Sequence, residues 1–305
     1  MIDKPKIKNK EFSFAEKLIE IATDDLKAAK TLYDAKLYPQ SVSSFQQSVE
    51  KLNKAFGLLS KNLELKELKN KVGHRTINIY QKIAKEQLKK FEGFKGLAKK
   101  YESFNELIPS NFINKEVRKS KKFLKTIKKL KDNPEEILKV SREEISNLLK
   151  EIKGIEGESK KFDENDYVSK FTDKELEAIR NKIKIAFGSV IKQHPEQGKE
   201  ITQALESMSK DSILNMIKLN SRVLKLAYPL SAALIGLSIL TIPLADAPRY
   251  PKENTEYDPR EVYTEKLDFV KELPTLFNLQ EKSIDELLQF KKFLESLPEN
   301  IEKKN

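Results

Sequence analysis

Two histidines, His74 and His194, are the only side chains among the 305 residues whose ordinary pKa lies near neutrality. His74 stands beside Arg75. That pairing could set a proton-transfer group and a cation against a phosphate. The plainer role is a histidine fixed by hydrogen bonds at a helix start. His194, in Lys192-Gln193-His194-Pro195-Glu196, reads as a loop residue. The two lie far apart and without HxxxH spacing, so they define no zinc site. Cysteine is absent, which excludes disulfides, a thiolate nucleophile and Cys-ligated zinc. Glu135-Glu136 and Glu143-Glu144 are adjacent pairs that point to different sides of a helix and make poor metal clamps. Walker A, Rossmann glycine and GxSxG patterns are missing. The sequence assigns no catalytic residue, no metal ligand and no cofactor.

The richest chemistry is cationic. Lys115 to Lys131 reads KEVRKSKKFLKTIKKLK. At helical spacing Val117, Leu124, Ile127 and Leu130 form a narrow apolar stripe, and Arg118, Lys121, Lys122, Lys125, Lys128 and Lys129 load the remaining surface. Such a helix can dock on a core and face a phosphate backbone, lie on an anionic membrane or an acidic protein, or simply be solvated. The whole chain carries 58 Lys and Arg against 47 Asp and Glu, a formal charge of +11. That balance suits an anionic partner, and it equally suits a Lys/Glu-rich protein kept soluble by its surface.

The elements that must carry these residues are helices. Gly (9) and Pro (12) are few, and Leu, Ile, Lys and Glu, which lose little rotamer freedom in a helix, dominate. The expected fold class is all-α. Phe14, Leu18, Ile21, Ala22, Leu26, Ala29 and Leu32 recur at helical spacing, with Asp24 and Asp25 opposite them. Pro39 then opens a second helix bearing Val42, Phe45, Val49, Leu52, Phe56 and Leu59. The short break makes residues 12–60 an antiparallel hairpin. Gly73 punctuates the chain before a further stripe, and Lys-laden helices follow to about residue 150. The polar stretch Gly154 to Asp166 reads as a loop or internal boundary, and Thr172 to Glu175 as a helix cap. Residues 226–245, LAYPLSAALIGLSILTIPLA, are uncharged over the length of a membrane span. Pro229, Pro243 and the lack of an aromatic belt favour a buried core helix instead, against which the hairpin is expected to pack. The N-terminus lacks the apolar core of a secretory signal, so the cytoplasm is the expected location.

Two stretches resemble the HEPN family (higher eukaryotes and prokaryotes nucleotide-binding domains). One runs from Asp25-Leu26-Lys27-Ala28-Ala29 and Tyr38 to Phe45-Gln46-Gln47-Ser48-Val49-Glu50-Lys51-Leu52-Asn53-Lys54-Ala55, with Gly73-His74 beyond. The other runs from Leu240-Thr241 to Ala247-Pro248-Arg249-Tyr250-Pro251. The resemblance implies an antiparallel helical bundle built from residues 12–84 and 212–297, with 85–211 as a Lys-rich helical insertion. It implies RNA or nucleotide as ligand, and a nucleotidyltransferase-type partner or a homodimer, often in toxin–antitoxin or phage-defence systems. Family members that cleave RNA use an Arg followed four to six residues later by His. No Arg precedes His74 or His194 at that spacing, and after Arg180-Asn181 it is Ile185 that stands where His would be. The expectation is therefore a non-catalytic member. A ribonuclease with a different site, or a helical interaction or membrane-surface scaffold, stays open.

Overall fold

A chain so poor in helix breakers has little to set against the helix, and the computed structural model is helical throughout the residues it describes, with no strand among them. Those residues are 8–68, 76–100, 110–132, 140–161, 172–178, 180–181, 203, 207, 209–245 and 258–297. The helices are α1 (Lys8–Asp34), α2 (Tyr38–Leu59), the single turn α3 (Leu65–Glu67), α4 (Ile77–Lys100), α5 (Ser110–Asp132), α6 (Arg142–Lys161), α7 (Lys210–Leu240), the short α8 (Pro259–Val262) and α9 (Asp268–Glu295). They fall into two compact units, residues 1–83, 127–157 and 226–305 in the first, and 84–126 and 158–225 in the second. The division is not that of the 85–211 insertion expected from sequence: 127–157 fall in the hairpin's unit, and 212–225 in the second.

The first unit begins with the α1–α2 hairpin. Lys36 takes the left-handed conformation (φ 60°), and Leu37 N–H reaches back to the Leu32 carbonyl at 2.9 Å, closing α1 with a Schellman turn. Pro39 then sits in the first turn of α2. The facing surfaces are small. Ser41 Oγ donates to the Ala29 carbonyl and Ser48 Oγ to the Ala22 carbonyl, both at 2.7 Å and both buried. One heptad further, the same antiparallel register places Ala55 opposite Ala15, and both are wholly buried. Small residues at heptad spacing on both helices let the backbones come close enough for side-chain-to-carbonyl bonds.

This register corrects the stripe read from sequence. Phe14 and Ile21 are 42% and 45% exposed, whereas Ala15, Leu18, Ile19, Ala22, Leu26 and Ala29 face inward. Large apolar residues suggest a face, but here the alanines define it. On α2 the expected residues Val42, Phe45, Val49, Leu52, Phe56 and Leu59 are all buried. Gly57 has a local reason as well: a Cβ there would lie 2.6 Å from Leu63 Cδ1, where the chain folds back under the hairpin.

The hairpin's principal partner is α9, not the 226–245 segment expected to fill that place, although the turn 242–245 does reach α2. Phe277 meets Phe45 (5.4 Å between centroids) and Tyr33 (5.9 Å) edge-on, and Phe290 lies 6.2 Å from Phe56. Gln280 Nε2 donates to Ser48 Oγ at 2.9 Å. Lys30–Glu281 (2.9 Å) and Lys291–Glu16 (3.0 Å) flank the seam. An all-apolar helix carries no directional pattern, so its sequence could not say which neighbour it meets.

The α7 segment nevertheless is core in its C-terminal half, burying Leu230, Ala233, Leu234, Leu237 and Leu240. Gly236 admits α6 closely, since a Cβ there would stand 3.0 Å from Ile152 Cδ1. Among the described residues α7 is the one helix long and apolar enough to cross a membrane. Pro229 does not interrupt it. Proline cannot donate to the carbonyl four residues back, and Ser159 Oγ donates to that carbonyl, of Lys225, at 2.7 Å. The Gly154–Asp166 stretch is likewise helical as far as Lys161, although the division between the units falls beside Gly157. Caps read from sequence form at Thr172–Glu175, with Thr172 N–H to Glu175 Oε2 at 2.7 Å, and a second box forms at Ser141–Glu144.

Ser48→Ala should destabilise the protein by about 1–3 kcal/mol, because it strands the Gln280 amide, whose Oε1 already lacks a partner. Chemical denaturation would show it, and an unchanged midpoint would contradict the shared-hydroxyl account.

Candidate nucleic-acid interface

The cationic helix is α5. Its residues Ile113, Val117, Ser120 and Ile127 are buried, with Phe123, Leu124 and Leu130 half-buried beside them. The seam is larger than the four-residue stripe expected, because Ile113 extends it one turn towards the N-terminus and Ser120 and Phe123 fill it between Val117 and Leu124. Arg118, Lys121, Lys122, Lys125, Lys128 and Lys129 are all exposed on the opposite side. At 100° per residue they span an arc of roughly 120°, one continuous face of a straight helix. Arg118, Lys121, Lys122 and Lys125 belong to the second unit, and Lys128 and Lys129 to the first.

The charges on this face are not equivalent. Lys121 is paired with Glu92 of α4 at 2.9 Å. Arg118, Lys122, Lys125 and Lys128 form no ion pair among the described residues, so their charge is available to solvent anions. Lys119, beside the face, pairs with Glu116 at 2.8 Å. Lys131, left out of the face by its spacing, turns inward and donates to Asn78 Oδ1 (2.8 Å) and Gln81 Oε1 (3.2 Å). The helix is thus pinned through its last turn while Arg118, Lys122, Lys125 and Lys128 stay unneutralised on its outer side. One feature escaped sequence reasoning: Phe112, 49% exposed at the start of α5. Isolated aromatic residues carry no pattern, and only the structure shows that this one is not core.

His74 and Arg75 lie outside the described residues, as do His194, Ile185 and the stretch 247–251. Arg180 is described, and pairs with Glu177 at 3.8 Å. Among the described residues no group of His, Asp and Glu has the arrangement of a metal site.

The Gln46–Ala55 segment turns out to be architecture. Gln46 Nε2 and Lys54 Nζ both donate to the buried Glu50 carboxylate, at 3.3 and 2.7 Å. Lys51 Nζ bridges Gln47 Oε1 (2.9 Å) and Asp25 Oδ2 (2.5 Å), joining the two helices of the hairpin. Asn53 Nδ2 donates to the Val49 carbonyl at 2.8 Å, and Asn53 Oδ1 accepts from Tyr80 Oη of α4 at 2.5 Å. Lys51 and Asn53 thus tie α2 to α1 and α4, while Gln46, Glu50 and Lys54 bond one another along α2. Such a polar pattern at fixed spacing is what a family signature preserves, and residues 15–105 match the HEPN domain family.

That match covers under a third of the chain. No curated protein and no solved structure matches the chain. A HEPN domain points to an RNA- or nucleotide-related role. The HEPN match includes α1, α2 and α4 and stops before Ser110, so α5 and its cationic face lie beyond it. Within the HEPN segment Tyr80 is fully buried, and burial raises its phenol pKa well above the ordinary value near 10.0.

The unfolded chain releases the Tyr80 proton near pH 10, whereas the native protein retains it. Stability from this group is therefore intact below about pH 10 and falls as pH rises further. Tyr80→Phe leaves Asn53 Oδ1 without its donor and should cost about 1–3 kcal/mol at neutral pH. That deficit should shrink by up to ~1.4 kcal/mol per pH unit above pH 10. Paired denaturation curves at pH 8 and pH 11 would read it, and a constant difference would mean Tyr80 ionises freely in the folded protein.

Proposed function

We propose that this protein is a HEPN-domain RNA-binding protein that holds RNA on the cationic face of α5 and does not cleave it by the usual HEPN route. The observation that carries the reading is the asymmetry of α5: one side sealed into the fold, the other bearing six exposed cations. A rigid row of cations spaced along 1.5 Å per residue suits successive phosphates, and neutralising phosphates releases counterions. The HEPN domain supplies the link to RNA rather than to another polyanion. The family also motivates a nucleotidyltransferase-type partner or a homodimer, and a cytoplasmic setting in toxin–antitoxin or phage defence.

Lys122→Glu, Lys125→Glu and Lys128→Glu together should leave the melting temperature within a degree or two, since all three are exposed and unpaired among the described residues. Affinity for RNA should fall, and the slope of log affinity against log salt should flatten by about 2, from ~0.7 per lost phosphate contact on single strands. Unchanged affinity and slope would reduce the patch to a solvated face.

Cleavage of RNA in chelator should be absent. The usual mechanism needs a proton-transfer His and a charge-stabilising Arg at fixed spacing, and this sequence has no such pair. General acid/base catalysis is typically worth ~10²–10⁴ in rate, so without it cleavage stays near background. RNA cut by the wild type and spared by His74→Ala would overturn this and make Arg75 the next residue to test.

A further inference from the structure

Phe112 is one of three aromatic residues exposed among the described residues, with Phe14 and Tyr228, and it is the one on the cationic helix. It stands two residues into α5, at the N-terminal end of the helix that carries the cations. Its ring is braced from one side by Phe91 of α4, edge-on at 6.3 Å and 71°, and Phe91 is braced in turn by Phe94 at 6.1 Å and 80°. Phe91 and Phe94 are half-buried, whereas Phe112 is 49% exposed. A lone surface phenylalanine would swing freely, but this one rests against Phe91, itself backed by Phe94, so presenting its face to a ligand costs less side-chain entropy. Lys115 and Lys119 are exposed three and seven residues on, on the same side of the helix, and Arg118 and Lys122 begin the unneutralised face beside them. A fixed aromatic plane opening onto a row of cations suits a ligand that is both planar-apolar and anionic.

Resting on the reading that α5 binds RNA, the geometry points to single-stranded RNA as the ligand, with one unpaired base stacked on Phe112 and the following phosphates winding past Lys115 and Lys122 to Arg118 and Lys125, roughly 120–140° about the helix axis from the ring. A duplex keeps its base faces covered, so it can use the cations but not the ring. From Phe112 to Lys125 the helix advances roughly 20 Å, a path for a few nucleotides. Discrimination between single and double strands thus resides in Phe112, and charge attraction resides in the lysines.

The protein contains no tryptophan, so Phe112→Trp installs a single reporter at the site. Titration with a single-stranded oligoribonucleotide should quench its emission, while the same length of duplex should leave it nearly unchanged. Phe112→Ala should weaken single-strand affinity roughly five- to hundredfold, the range for losing one base stack, with duplex affinity and salt slope preserved. Lys122→Glu with Lys125→Glu should weaken both ligands. Thermal melts of each variant establish that it is folded before its binding is compared. If Phe112→Ala binds both ligands like the wild type, the stacking role fails while RNA binding by α5 stands. If the wild type binds neither, both readings fail. A blue shift of the Trp emission that tracks protein concentration without RNA would mean the ring is covered by a second copy, which also overturns the proposal.

Discussion

Ser48 carries a single hydroxyl on which three helices converge. It donates to the Ala22 carbonyl of α1 and accepts from the Gln280 amide of α9, all within a space closed to water. The bond to Ala22 can form only if α1 and α2 approach closely, and that approach needs Ala15, Ala22 and Ala29 to face Ser41, Ser48 and Ala55. The heptad of small residues sets the distance and the serines set the register. With the register fixed, Phe45 and Phe56 take the positions at which Phe277 and Phe290 meet them. A slide of one turn would break both serine bonds and misplace both aromatic contacts together. The bundle is therefore specified by matched small residues, and its large apolar residues fill the space that those define.

The helical class was legible because composition and spacing agreed, and the α2 core was legible because its apolar residues are large and periodic. The inner face of α1 was harder to read. Phe14 and Ile21 outweigh alanines on any hydropathy scale, yet the alanines are buried since only they allow close packing. The choice of α9 over the 226–245 segment as the hairpin's partner could not be read either, because an apolar stretch without a polar side names no neighbour. At the candidate site the cations of α5 were visible in their spacing, and so was their separation from the seam. The inward turn of Lys131 and the engagement of Lys121 by Glu92 were not, since each depends on a partner distant in sequence.

The HEPN segment and the cationic helix divide the work differently from what their sequences suggest. The Gln46–Ala55 stretch is dense in groups that could do chemistry, but Lys51 and Asn53 are engaged in hydrogen bonds that hold the hairpin and α4 together, and Gln46 and Glu50 in one along α2. Meanwhile α5, which lies beyond the family match, presents Arg118, Lys122, Lys125 and Lys128 without an ion pair among the described residues. Polar density inside a domain and available polar surface are distinct properties. In this chain the signature stabilises and the adjoining helix is left to interact.

The first unit is assembled from three separated pieces of chain, and this bears on how it comes into being during synthesis. The α1–α2 hairpin emerges from the ribosome early, while α9, which covers it, is encoded some 200 residues later. At the usual ~5–20 residues per second of translation, the hairpin waits roughly 10–40 seconds with Phe45 and Phe56 uncovered. Native contacts of such long range also slow folding once the chain is free, because closure of the intervening loop precedes any gain from them. The nascent protein thus passes through an interval in which a half-built bundle displays an aromatic surface. During that interval a chaperone at the ribosome, or another nascent copy, competes with the chain's own C-terminus for the same face.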